Sequence, residues 1–219
     1  MKINTLILVI TTIVCLLPII LALVIYDDLP DQVTMQWNLS GNPNWSAPKA
    51  VAAFGMPVFF AMLNIIIITL MHTDSRRKNI PEKMMAIVQW IVPAVTLVTV
   101  PIILLAAIGI ELPIILIVFI LVGVIFILIG SYMPKCKQNY SVGIRITWTL
   151  SDSENWNKTH KLAGLLWTLG GFIFIILAFL PLDNYIFIVL LLSFLAVLTL
   201  TPLAYSYFLY RKNAKLQEK

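Results

Sequence analysis

The chain has 219 residues, 60% of them hydrophobic and 11% charged, against ~45–50% and ~25% in an ordinary soluble domain. Polar residues are too few to cover the surface of a soluble protein of this size. A soluble enzyme, a nucleic-acid-binding domain and a disordered tail are therefore excluded as descriptions of the whole, and the mean hydropathy of +0.96 agrees. The net charge of +5 is read as a topology signal, because Lys and Arg in a membrane protein first record which loops stay inside.

A helix that crosses a bilayer needs about 20 mostly apolar residues. Apolar runs predict six such spans, at 5–26, 51–71, 84–108, 113–131, 162–181 and 185–209, and hence an all-α integral membrane protein. The first run starts after Met1-Lys2. It is longer than a signal-peptide core and has no small-x-small cleavage site before Asp27, so it counts as a span. A polar loop (27–50) follows it. The later connections are a short basic loop (72–83), a tight turn near Glu111, a long loop (132–161) and a tight turn at 181–184, with a basic tail after Tyr210.

Pro18, Pro57, Pro93, Pro101 and Pro202 fall within spans, where each removes a backbone donor and tends to kink its helix; the third span, with two of them, is expected to bend. Asn64, Thr69, Gln89, Thr96 and Thr99 are expected to face the bundle interior and join helices. No span carries a mid-membrane charge, which argues against an ion-coupled pump. Cys15 sits in an apolar run and Cys136 in a basic loop, so no disulfide is expected.

Placing the N-terminus inside puts fourteen of the fifteen Lys and Arg residues on the cytoplasmic side, leaving only Lys49 outside. Both termini are then cytoplasmic, as six spans require.

The two long loops resemble each other. Trp37, Leu39, Ser40, Asn44 and Trp45 match Trp148, Leu150, Ser151, Asn155 and Trp156, each pair 111 residues apart. The offset divides the chain into a half at 1–110 and a half at 111–219, each of three spans, and suggests an inverted-topology repeat. Ser151 and Glu154 have capping-box spacing, so a helix is expected from about Asp152 into the fifth span; Ser46 with Pro48 is a similar start in the first copy. Trp45 and Trp156 would then lie at opposite headgroup layers.

The run from Gly130 through Tyr132, Asn139, Gly143, Arg145, Trp148 and Ser151, then Trp156-Asn-Lys-Thr159-His160-Lys-Leu-Ala-Gly164, resembles the signature of the SdpI family of bacterial immunity and signal-transduction membrane proteins. Leu29-Pro30-Asp31, Trp37-Asn38, Gly41 and Lys49 resemble a domain that often precedes it. Ser131 departs from the family's usual Asn, Ile146-Thr147 from Thr-Pro, and Gln36 from His. The resemblance implies a multi-pass protein of the bacterial plasma membrane that protects the cell from a secreted peptide toxin. It also implies signalling, by holding a cytosolic winged-helix repressor at the membrane.

On this reading Asp31, Trp37, Asn38, Asn44 and Trp45 are candidate toxin contacts on the outer loop. Asn139, Arg145, Trp148, Trp156 and His160 are candidates for signalling or membrane-lipid contact on the inner face. Each has a plainer role: Asn caps and turns backbone, Arg binds helix-end carbonyls, and a His on the Trp156 face bonds to backbone. No catalytic cluster, metal site, cofactor or direct nucleic-acid contact is expected, and the chain is not read as an enzyme. The alternative function is a transporter or flippase built on the inverted repeat and exporting the peptide.

Overall fold

The computed structural model describes residues 5–37, 43–180 and 184–217. Helix α1 (Thr5–Leu16) and α2 (Pro18–Val24) make the first span, followed by a hairpin of β1 (Gln32–Trp37) and β2 (Pro43–Pro48). A π-helical turn (Val51–Gly55) leads into α3 (Met56–Thr73). After it come α4 (Glu82–Ala107), α5 (Ile114–Tyr132), the short α6 (Thr147–Ser151), α7 (Ser153–Ala178) and α8 (Asn184–Gln217). Among the described residues, six helical stretches are long and apolar enough to cross a membrane: Thr5–Val24, Val51–Thr73, Glu82–Ala107, Leu116–Lys135, Ser153–Ala178 and Val189–Asn213. The protein is an all-α integral membrane protein to which one two-stranded hairpin is added. Residues 181–183 of the expected tight turn lie outside the described residues.

The prolines act in different ways. Pro18 splits the first span, ending α1 and taking the first position of α2, where its missing N–H costs no bond. Pro57 follows the π turn, in which the Met56 N–H reaches back to the Val51 carbonyl. Helix α4 runs without a break through Pro93 and Pro101. Pro202 lies within α8 and has no N–H for the Leu198 carbonyl four residues back. The Trp167 indole N–H of α7 takes that carbonyl at 3.1 Å, the kind of repair that lets a membrane helix keep a proline.

The chain forms two compact units, Met1–Thr69 with Val88–Val118, and Leu70–Ile87 with Phe119–Lys219. In the first unit, Ala22, Leu29, Val33, Ala52, Ala53, Val100, Ile103 and Leu104 form a buried core beneath the hairpin. Asn64 joins two spans by donating to Thr11 Oγ1 (2.9 Å) and Thr12 Oγ1 (3.2 Å), as expected of an intramembrane polar group. Thr96 and Thr99 also donate to the carbonyls of Val92 and Val95, four residues back on their own helix, and Thr96 in addition bonds to the Cys15 side chain of the first span.

In the second unit α5 and α7 touch backbone to backbone. A Cβ added at Gly130 would meet Thr168 N at 2.6 Å and the Gly164 carbonyl at 2.9 Å; one at Gly164 would meet the Gly130 carbonyl at 2.7 Å. About two helical turns along, Gly123 faces Gly171, and a Cβ on either would strike the other's carbonyl. Small residues at matched spacing are what permit such an approach where lipid supplies no hydrophobic drive. Phe119, Phe126, Trp167, Phe174 and Phe194 pack beside this seam with ring centroids 5.2–5.8 Å apart.

Candidate functional site

Two surfaces carry the candidate residues, one in each unit. The first is the hairpin. β1 alternates apolar and polar side chains, so Val33 faces the core; on β2 its partner Ala47 is likewise buried. Register shifts on either side of Gln36 leave Met35 and Asn44 without opposite numbers. Pro43 and Pro48 bracket β2 and keep it extended. This corrects the expected helix start at Ser46, which is a strand residue opposite Thr34; helix begins only after Pro48.

Of the residues expected on this surface, Asp31 and Asn44 are exposed, and Trp45 leaves 55% of its surface open. Trp37 packs against the core beneath. Asn38 lies outside the described residues. Lys49 forms a long ion pair with Asp31 (3.8 Å) and sits 5.0 Å from the centre of the Tyr26 ring.

The second surface is the 133–152 loop, which is fastened at almost every residue. The Asn139 carboxamide accepts the N–H groups of Ser141 (3.0 Å) and Val142 (2.7 Å) and donates to the Lys137 carbonyl (2.9 Å). Asp74, from the end of the second span, accepts the Tyr140 N–H (2.8 Å) and the Ser141 hydroxyl (2.7 Å). Asn79 donates to the Gln138 carbonyl, and Gln138 donates to the Thr149 carbonyl. The Thr149 hydroxyl accepts the Ile146 N–H and donates to the Ile144 carbonyl, which fixes the start of α6.

His160 locks this loop to α7. Its Nδ1 donates to the Trp156 carbonyl (2.8 Å), and its Nε2 accepts the Ile144 N–H (3.0 Å). Both ring nitrogens are thereby committed in the neutral Nδ1–H form. Gly143 adopts φ +114°, and a Cβ there would collide with the His160 ring. Only glycine meets both conditions. Trp156, with none of its surface exposed, stacks on His160 (3.9 Å between centroids) and donates its indole N–H to the Cys136 carbonyl (2.7 Å). Trp156 and His160 are thus interior residues, packed within the protein. Burial pushes the Cys136 thiol up to about 11, and both cysteines are free.

A second buried network ties α6 and α7 to α8. Asn155 donates to the Ser206 carbonyl (2.9 Å) and accepts from the hydroxyls of Ser206 (2.7 Å) and Thr159 (3.0 Å), while the Trp148 indole N–H donates to Ser206 Oγ (2.9 Å). Helix α7 does start where expected, but its cap is Asp152, which accepts the N–H groups of Glu154 and Asn155; Ser151 bonds back to Trp148. The matched loops therefore differ in conformation, a hairpin in one and two helix starts in the other, which gives the inverted repeat no local support.

Arg145 stays exposed and donates to the Tyr140 carbonyl. With Ile146, Thr147, Trp148, Leu150 and Ser151 it lines an open groove of about 600 Å³. Asp74 and Ser206 were not among the residues singled out from sequence. Their partners are 66 and 51 positions away, and neither belongs to a local motif.

The comparisons with known proteins agree with this layout. Residues 135–206, from the fastened loop to Ser206, match the SdpI/YfhL protein family, and residues 13–61, which include the hairpin, match a domain of unknown function, DUF1648. The chain is 29% identical over 209 residues to the Immunity protein SdpI of Bacillus subtilis (strain 168), covering 93% of this chain and 96% of that protein. No solved structure matches. The second half of the chain thus carries a segment similar to the SdpI/YfhL family, with a segment similar to DUF1648 ahead of it.

Proposed function

We propose that this protein is a membrane immunity protein that protects a bacterial cell from a secreted peptide toxin. The observation that carries the reading is the end-to-end similarity to the Immunity protein SdpI, which spans both the hairpin and the fastened loop rather than one domain alone. The distribution of Lys and Arg supports a plasma-membrane topology with both termini cytoplasmic and the hairpin outside. On that topology Asp31, Asn44 and Trp45 face the medium, where a toxin arrives, and Trp45 offers a rigid amphipathic ring suited to anchoring a peptide.

The same reading gives the inner face a signalling role, holding a cytosolic winged-helix repressor at the membrane. Protection and signalling are separable by expressing the chain in a sensitive bacterium with a reporter under the repressor. Cells carrying the chain should survive culture medium from a toxin-producing strain that kills vector controls. Equal killing of the two would end the immunity reading, and a reporter unchanged by toxin would end the signalling one.

A further inference from the structure

The groove beside α6 has a composition that the proposed function does not use. Arg145 stands at its edge with one nitrogen on the Tyr140 carbonyl and, among the described residues, no carboxylate within ion-pair distance. The nearby acids are engaged. Asp152 caps α7 and accepts from Asn213, and Glu154 pairs with Lys158 at 2.6 Å. Thr147 and Ser151 add hydroxyls, and Ile146 and Leu150 add apolar wall.

The end of α8 adds two more cations. Tyr210 stacks on Trp148 (5.6 Å between centroids, 23° between planes), and Asn213 donates to Asp152 at 2.9 Å. Between these two ties lie Arg211 and Lys212, both exposed. Trp148 is flanked by Tyr207 and Tyr210 where α8 leaves its apolar stretch, the aromatic belt expected at the level of lipid headgroups.

We infer that this groove binds the phosphate headgroup of an anionic phospholipid. The Arg145 guanidinium and Thr147 hydroxyl donate to the phosphate oxygens, Arg211 and Lys212 supply attraction, and Ile146 and Leu150 meet the glycerol and upper acyl carbons. An Arg with its remaining guanidinium N–H groups open suits phosphate geometry. Basic pockets between helices at the inner leaflet are where such lipids are held. The inference does not depend on the toxin or the regulator.

The test uses the full chain purified in detergent, with dioleoyl phosphatidylglycerol, dioleoyl phosphatidylcholine or inorganic phosphate added, read by native mass spectrometry and thermal melting. Phosphatidylglycerol should be retained about tenfold better than phosphatidylcholine, and inorganic phosphate should neither bind nor raise the melting temperature. Arg145→Gln should lower phosphatidylglycerol retention by about tenfold, with Arg145→Lys, which keeps the charge and loses the fork, falling between Gln and wild type. The pair Arg211→Gln and Lys212→Gln, on an exposed helix end, should lower it about threefold without changing melting in phosphatidylcholine. Equal retention of the two lipids would overturn the inference, as would free phosphate matching the lipid. So would an Arg145→Gln protein that keeps phosphatidylglycerol as well as wild type does.

Discussion

Trp45 exposes 55% of its surface on the hairpin, whereas Trp156, its match 111 residues later, exposes none. The neighbours decide the difference. Pro43 and Pro48 hold the first tryptophan in a strand over a small core. Asp152 caps the helix that carries the second, turning its ring inward toward His160 and the Cys136 carbonyl. The hairpin is held chiefly by its own pairing and by Val33 and Ala47 beneath it, so its outward side chains are free to meet another molecule. The 133–152 loop is fastened by Asn139, Asp74, Thr149 and His160, so most of its polar groups are committed to the fold. Similar residue patterns thus make a display surface in one place and a scaffold in the other.

Substitutions in the scaffold should break stability. The largest effect is expected at Gly143→Ala, which forces a side chain into positive φ and against His160, costing about 2–4 kcal/mol by thermal unfolding in detergent. Asn155→Leu leaves the Ser206 and Thr159 hydroxyls without their shared acceptor and should cost about 1–3 kcal/mol in the same assay.

Cys136 gives a pH test of the same burial. Its thiol is raised from 9.0 to about 11 because burial disfavours the thiolate. The folded state therefore keeps its proton where the unfolded state has lost it. Its contribution to stability is whole below pH 9 and declines as pH rises toward 11. At neutral pH a maleimide should label the unfolded chain readily and leave Cys136 of the folded chain unmodified; equal labelling would show the loop to be open.

The smallest effect belongs to the display surface. Asp31→Ala should not measurably change the melting temperature, since the Asp31 side chain is 97% exposed and its ion pair with Lys49 is long. A clear loss of stability there would make the hairpin a structural clamp and erase the contrast with the loop.

The six spans were legible because lipid imposes long apolar runs, and the start of α7 because Ser151 and Glu154 have capping-box spacing, although Asp152 supplies the cap. The hairpin left a signal that went unused. Val33, Met35 and Trp37 alternate with Thr34 and Gln36, a strand pattern that competes with the helix-start spacing of Ser46 and Pro48. The long-range ties could not be read in advance. Asp74 meets Tyr140 across 66 residues and Ser206 meets Asn155 across 51, separations at which no local spacing rule operates. Gly143, by contrast, was visible as part of the family-like segment, but its reason, a ring lying against its backbone, emerges only in three dimensions.

The most direct measurement of the central claim is survival of toxin-exposed cells expressing the chain with Asn44→Ala and Trp45→Ala together, at a membrane protein level matched to wild type. The display role predicts that these cells die as vector controls do, while the purified variant melts with the wild-type protein. Full survival of the variant would contradict it and move recognition away from the hairpin.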